Sequence, residues 1–209
     1  MASFEKFYPR LKKWEGGYAE LPGDSGGCTN YGIAFNYNRQ LILDFNQDGS
    51  IDCEDMRVMP PEFAKKVSKS VYWDAFLADN IKNQQIAEML VDWGFHQGVG
   101  TVIMEAQRIL GLPQDGKFGI ATLAAVNQAP QKEFYEKLYK AREAKYRSGG
   151  SQYLEGFLNR LRDFSPTLHS IATNKWTYVG LFFLVLLLVF VYLYRKEVLA
   201  FYKQIFTKK

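Results

Sequence analysis

The segment Lys12–Ala34 reads KKWEGGYAELPGDSGGCTNYGIA. It sets Glu15, Asp24 and Thr29 among Gly16, Gly17, Gly23, Gly26, Gly27 and Gly32, with little helical or strand periodicity. Ordering glycine costs more backbone entropy than ordering any other residue, so a chain places it where backbone turns sharply or approaches something closely. Upstream, Phe4, Phe7, Tyr8, Leu11 and Trp14 recur at helical spacing, predicting a short helix that starts near Pro9 and stops at Gly16-Gly17. Downstream, Tyr31, Ile33, Phe35 and Tyr37 alternate, which predicts a hairpin or irregular lobe over 18–38. After Pro60-Pro61 the pattern turns helical, with helices expected over 62–76, 82–97, 101–110, 119–127, 131–147 and 151–163. The expected fold is mainly α with a small β lobe near its start, and in such folds a site commonly lies in the cleft between lobes.

The two carboxylates sit in contrasting surroundings. Glu15 ends an amphipathic helix beside Trp14, and a carboxyl packed on aromatic groups is poorly solvated and keeps its proton. Asp24 lies in the turn PGDSGG, where backbone donors favour the ionised form. A protonated Glu and an ionised Asp form the pair that breaks glycosidic bonds, and Thr29 carries a hydroxyl able to orient a water. On the residues alone, the plainer reading, a helix-end glutamate and a turn aspartate, is the favoured one.

The motifs EGGY and PGDSGGCTNYGIA resemble glycoside hydrolase family 108, the N-acetylmuramidases with a Glu-Gly-Gly-Tyr signature. The family pattern falls on Glu15, Gly16, Gly17, Tyr18, Asp24, Gly26, Gly27, Thr29, Tyr31, Gly32 and Ile33. SVYWDAFLADNI resembles the Tyr-Trp-Asp segment of the same family, and the stretch from Leu90 to Asn127 resembles the predicted peptidoglycan domain that usually follows. The resemblance covers most of residues 1–147. It implies a lysozyme-like α+β fold, a catalytic region at 1–80 and a helical domain at 81–165 packed on it. It also implies peptidoglycan as partner, with cleavage of the MurNAc-GlcNAc β-1,4 bond. Glu15 would be the general acid, Asp24 a base or charge stabiliser, and Thr29 the residue that positions water. The sugar-contact candidates are Tyr18, Tyr31, Trp73 and Trp93, although the tryptophans also fit a core at helical spacing. A lytic transglycosylase using the same glutamate, or a non-catalytic wall-binding anchor, are the alternatives.

Between the motifs, DFNQDGSIDCED at 44–55 places oxygen side chains at alternating positions with Gly49 at the sixth. Calcium loops of the EF-hand and dockerin type have this spacing. Asp44, Asn46, Asp48, Ser50 (through its carbonyl), Asp52 and Asp55 are the expected ligands of a structural Ca2+. Cys53 lies in this loop and Cys28 beside Thr29. Two cysteines outside any CxxC pair argue against a metal site built on them, and leave open a disulfide or two free thiols.

The chain has 209 residues, 47% of them hydrophobic, and a formal net charge of +4. Its Lys and Arg residues are spread along helices, including the sign-alternating KEFYEKLYKAREAKYR, so no nucleic-acid partner is expected. The N-terminus lacks the apolar core and cleavage site of a signal peptide. From Trp176 to Tyr194 the chain reads WTYVGLFFLVLLLVFVYLY without a charge, close to the roughly 20 apolar residues that cross a bilayer, and with aromatic residues at both ends. A linker at 166–175, a single C-terminal transmembrane helix at 176–194 in contact with the lipid bilayer and a basic tail at 195–209 are expected. Arg195, Lys196, Lys203, Lys208 and Lys209 favour a cytoplasmic tail and a catalytic region on the cell-wall side.

Overall fold

The computed structural model describes residues 1–21, 23–165 and 186. The expected linker at 166–175, transmembrane helix at 176–194 and basic tail at 195–209 lie outside these residues, save for Leu186. Among the described residues, no helix is long and apolar enough to cross a membrane.

Helix α1 (Phe4–Trp14) buries Phe4, Phe7 and Leu11 and carries Pro9 in its second turn, not at its start. The ring removes one intrahelical bond there, which the buried apolar stripe offsets. The chain leaves the helix at Glu15, which is extended (φ −87°, ψ 125°). A small hairpin follows, β1 (Thr29–Asn30) against β2 (Ile33–Ala34), with Asn30 opposite Ile33. Its two turn residues, Tyr31 and Gly32, both have positive φ (49° and 74°), the arrangement of a type I′ turn. Ala19 adds an isolated antiparallel bridge to Thr29.

Helices α2 (Phe35–Asn38), α3 (Cys53–Val58) and α4 (Pro61–Val67) complete the lobe. Asp52 and Asp55 form a capping box on α3, satisfying donors at its N-terminus. The long helix expected over 62–76 is divided: α4 passes into a π-helical stretch at Ser68–Trp73, then into a single-turn 3-10 helix at Asp74–Phe76. π-helical turns re-aim side chains and occur frequently at functional sites. Here Trp73 stacks on Phe7 (5.6 Å between centroids), while its neighbour Tyr72 meets Phe95 at 4.3 Å. The remaining helices are α5 (Gln84–Gln97), α6 (Val99–Leu110), α7 (Ile120–Gln128), α8 (Gln131–Ser148) and α9 (Leu154–Arg162).

Residues 1–164 form one compact unit. Its larger core joins Phe4, Phe7 and Leu11 to Leu90, Val102, Leu138 and Leu161, so the N-terminal helix shares a core with the helices beyond residue 80. A smaller core of Cys28, Ile33, Phe35, Ile42, Met56, Met59, Ala64 and Val67 holds the lobe. Tyr72 and Phe95 pack against both.

Cys28 and Cys53 are joined in a disulfide with Cα atoms 5.8 Å apart, closing the question left open by the sequence. The bond ties the hairpin to the acidic loop, beside a hydrogen bond from Asn30 Nδ2 to the Met56 carbonyl (2.6 Å). The bridge spans a sequence separation of 25, and in the loop-closure picture a cross-link of that length stabilises by about 3 kcal/mol. Replacing both cysteines by serine is therefore expected to lower unfolding stability by about 2–4 kcal/mol in denaturant melts. The native protein should show no thiol reactive towards a thiol reagent until it is reduced.

Candidate active site

Glu15 stands at the point where α1 gives way to the glycine-rich segment, its side chain 14% exposed. Its Oε1 accepts a hydrogen bond from Arg160 Nη1 at 2.7 Å, across 145 positions of sequence. Arg160 is itself clamped on Asp92, with Nε and Nη2 both donating to the Asp92 carboxylate (Nη2 to Oδ1, 2.7 Å). Asp92 is fully buried on α5 and accepts a second guanidinium, Arg142 Nη2, at 2.5 Å. Arg142 Nε donates to the Tyr146 hydroxyl (2.8 Å), which meets His96 Nδ1 at 2.9 Å. The Tyr146 hydroxyl accepts from Arg142 and still has its proton to give, so it can donate to Nδ1 of a neutral His96 imidazole.

Each charge in this chain is set by its neighbours. Burial pushes Asp92 up, but Arg142 and Arg160 outweigh it and hold the carboxyl at about 2. Burial and the two guanidiniums bring His96 down to about 4. Glu15 goes the other way. Burial raises it more than the charge and hydrogen bond of Arg160 lower it, and the like charge of Asp92 adds to the rise. The result is a carboxyl that keeps its proton above the ordinary glutamate range although a guanidinium touches one of its oxygens.

The backbone closes on the other oxygen. A Cβ built on Gly32 would sit 2.1 Å from Glu15 Oε2 and 2.6 Å from Phe95 Cε1, so the second residue of the hairpin turn presses directly on the carboxyl. Tyr8, Leu11, Lys12, Tyr31 and Ser68 line a narrow cleft with Glu15. Tyr72 lies close enough for the charge of Glu15 to push its phenol up, after the larger effect of its own burial. By contrast, nothing would meet a Cβ at Gly16 or Gly17 within 4 Å, which leaves open space beside Glu15 along the chain.

Of the other motif residues, Tyr31 shares the cleft with Glu15. Asp24 is exposed and its Oδ1 accepts from the Gly26 amide at 2.9 Å, an Asx-turn. Thr29 is half-buried in β1 and bonded through its backbone to Ala19. Tyr18 lies under Arg57, 4.1 Å from its ring centroid, and donates to Glu20. Trp73 and Trp93 correct the sequence expectation. They are 0% and 1% exposed, and their ring N–H groups are spent on Asp79 (2.8 Å) and Gln97 (2.8 Å), so neither presents a face to a sugar. Tyr72, beside Trp73 in the Tyr-Trp-Asp segment, is the residue of that segment within electrostatic reach of Glu15. Arg160 went unread as well. The available signal was Asp92, a lone acid in the apolar run MLVDWGF, which demands a buried cation from somewhere.

The acidic loop fits calcium at its first positions and not at its last. Asp44 Oδ1 and Asn46 Oδ1 both accept from the Asp48 amide, and Asp44 Oδ2 accepts from Gly49, which has φ 87°. Asp55 is turned away into the protein. Its two oxygens take the amides of Phe45 (2.7 Å), Asn46 (3.2 Å) and Asp52 (3.0 Å). Asp52 caps α3 through the Glu54 amide. Among the described residues, no group of three or more His, Cys, Asp or Glu converges to hold a metal ion.

Residues 8–98 match the family described as Glycosyl hydrolase 108, and the chain is a glycoside hydrolase. No curated protein matches it. Among solved structures, that of Brucella abortus SagA is similar with a TM-score of 0.68 and 24% sequence identity, over 82% of this chain and 97% of that one. That likeness supports the fold described above, from α1 through the C-terminal helices.

Gly32→Ala tests the contact between turn and carboxyl. The left-handed backbone alone costs about 1–2 kcal/mol in an L-residue, and the added methyl must displace either Glu15 or Phe95. Hydrolysis should fall by about 100-fold, with a melting temperature lowered but a cooperative transition retained.

Proposed function

We propose that this glycoside hydrolase is an N-acetylmuramidase that cleaves the MurNAc-GlcNAc β-1,4 bond of peptidoglycan, with Glu15 as its general acid. The observation that carries the reading is the Glu15 carboxyl itself: buried at a cleft, proton-retaining, and on the Glu-Gly-Gly-Tyr motif inside the matched segment. Arg160 occupies Oε1, so the transferable proton is assigned to Oε2. It passes to the glycosidic oxygen as the C–O bond breaks, and the electron pair leaves with the GlcNAc hydroxyl. Positive charge develops on the muramoyl ring. Asp24 is assigned to stabilise that charge or act as base, and Thr29 to position the water that adds to the ring carbon. Tyr18, Tyr31 and Tyr72 are the proposed sugar contacts.

The sign of the pH dependence follows from Glu15. Its acid form is the active one, and its folded value lies above the usual glutamate range, so activity holds into pH values where an ordinary glutamate is ionised and falls as pH rises through that value. Glu15→Gln should reduce lysis of purified peptidoglycan by about 10²–10⁴-fold without loss of fold. Mass spectrometry of the released muropeptides should find reducing ends. Anhydro ends would make the enzyme a lytic transglycosylase with the same acid, and lysis undiminished in Glu15→Gln would remove the glutamate from the mechanism.

The apolar run at 176–194 is assigned as the membrane anchor, with the hydrolase on the wall side. The loop at 44–55 is assigned a structural Ca2+ held by Asp44, Asn46, Asp48 and the Ser50 carbonyl, without Asp55. Calcium added to chelator-treated protein should then raise the melting temperature, and terbium should give sensitised luminescence that Asp48→Asn abolishes. No response to either ion would leave the loop closed by its own hydrogen bonds alone.

A further inference from the structure

Three consecutive residues at the end of α1 are each held by the last helix of the unit. Lys13 Nζ pairs with Asp163 Oδ2 at 2.6 Å, Trp14 Nε1 donates to the same oxygen at 2.7 Å, and Glu15 Oε1 takes Arg160 Nη1 at 2.7 Å. Helix α9 is anchored independently of these contacts. Leu158, Leu161 and Phe164 are buried, and the Tyr135 hydroxyl donates to the Phe164 carbonyl at 2.7 Å. The Arg160 side chain is only 8% exposed and its other donors are fixed on Asp92, so it has little freedom to swing towards a glycan. Arg160 and Asp163, the partners that α9 brings to these contacts, lie outside the segment that matches the hydrolase family, which ends at residue 98.

We infer that α9 supplies a positioning residue, Arg160, which orients the Glu15 carboxyl for proton transfer and sets its affinity for the proton, with Asp163 fixing the helix end that carries Glu15. The inference rests on the reading of Glu15 as the acid. A planar guanidinium held on Asp92 offers Glu15 one N–H along a fixed direction, which selects a single rotamer and leaves Oε2 to carry the proton. Without it, the carboxyl has only the Gly32 backbone and aromatic rings to hold it. The charged and titratable groups facing Glu15 are Arg160 from α9, Asp92 from α5, Tyr72 from the π-helical stretch, Tyr8 and Lys12 from α1, and Tyr31 from the hairpin. Arg160 is the one cation among them at hydrogen-bond distance from Glu15.

The test compares Arg160→Gln, Arg160→Lys and Asp163→Asn with the wild type in the full chain. Two readouts are used: kinetics on solubilised glycan strands across pH, and carbon NMR titration of the labelled Glu15 carboxyl, assigned by Glu15→Gln. Removing the adjacent cation should move the Glu15 titration and the alkaline limb of the rate profile upward together by about 1–3 pH units. In Arg160→Gln, kcat should fall by about 100-fold while KM changes by less than about twofold. Arg160→Lys should restore the wild-type titration and part of kcat. Asp163→Asn should lower kcat by about tenfold and leave the titration in place. A folded Arg160→Gln protein whose Glu15 titrates as in the wild type overturns the inference, as does loss of activity expressed in KM alone. Should Arg160→Gln fail to fold, unchanged kcat in Asp163→Asn and Arg160→Lys overturns it equally. Failure of the acid assignment is read separately: an active Glu15→Gln protein removes the acid, whereas the NMR shift reports the coupling whether or not the enzyme uses it.

Discussion

Asp92 is a fully buried carboxylate in the apolar middle of α5, and two arginines from other helices are arranged to satisfy it. An isolated charge in that position would be neutralised or would destabilise the fold by several kcal/mol. Two guanidiniums meet it instead, one from α8 and one from α9, each in hydrogen-bonded contact. Because Arg142 and Arg160 have donors left over, the pairing extends outward, on one side to Tyr146 and His96 and on the other to Glu15. Four helices are thereby fixed at one point. With Glu15 protonated, the two guanidiniums face the single charge of Asp92, and ionisation of Glu15 is what would balance them.

The outer end of that chain is where stability and chemistry meet. Burial favours the neutral form of Glu15, and Arg160 favours the ionised form. A carboxyl under both influences is neither a plain salt bridge nor a plain buried acid, and here burial prevails, so the proton is retained above the ordinary glutamate range. The hairpin contributes through backbone shape. A type I′ turn with Tyr31 in the left-handed region is strained for a side chain of that size, and it brings the Gly32 backbone against the carboxyl. The disulfide at Cys28 and the small core beneath it hold the turn in that position.

The motif carrying Glu15, the glycine-rich hairpin and most helices were legible in the sequence because each is a local pattern: a motif, an alternation, a 3.6-residue period. The limits were local too. Helical periodicity cannot show a π-helical turn, and with Tyr72 and Trp73 adjacent, the larger ring drew the assignment while the structure buries it on Phe7. The cysteines were readable as residues but not as a bond, since 25 positions of spacing say nothing of distance in space. Arg160 left no local trace of its role. Its partners lie 68 and 145 positions away, and within its own helix it reads as one basic residue among several. The acidic loop shows the opposite error of excess: its spacing invites six ligands, and the shorter side chain of Asp55 is drawn instead to three backbone amides.

The order of these residues along the chain has a consequence for how the enzyme is made. Glu15 leaves the ribosome 145 positions ahead of Arg160. At synthesis rates of about 5–20 residues per second, the glutamate waits roughly 7–30 s for its cation. Until then Asp92 also lacks one of its two guanidiniums, since Arg142 precedes Arg160 in the chain, so the core around it is incomplete. A nascent chain that already displays the whole signature motif is therefore still without the cation that meets Glu15, and this contact forms only when nearly all of the compact unit has been synthesised.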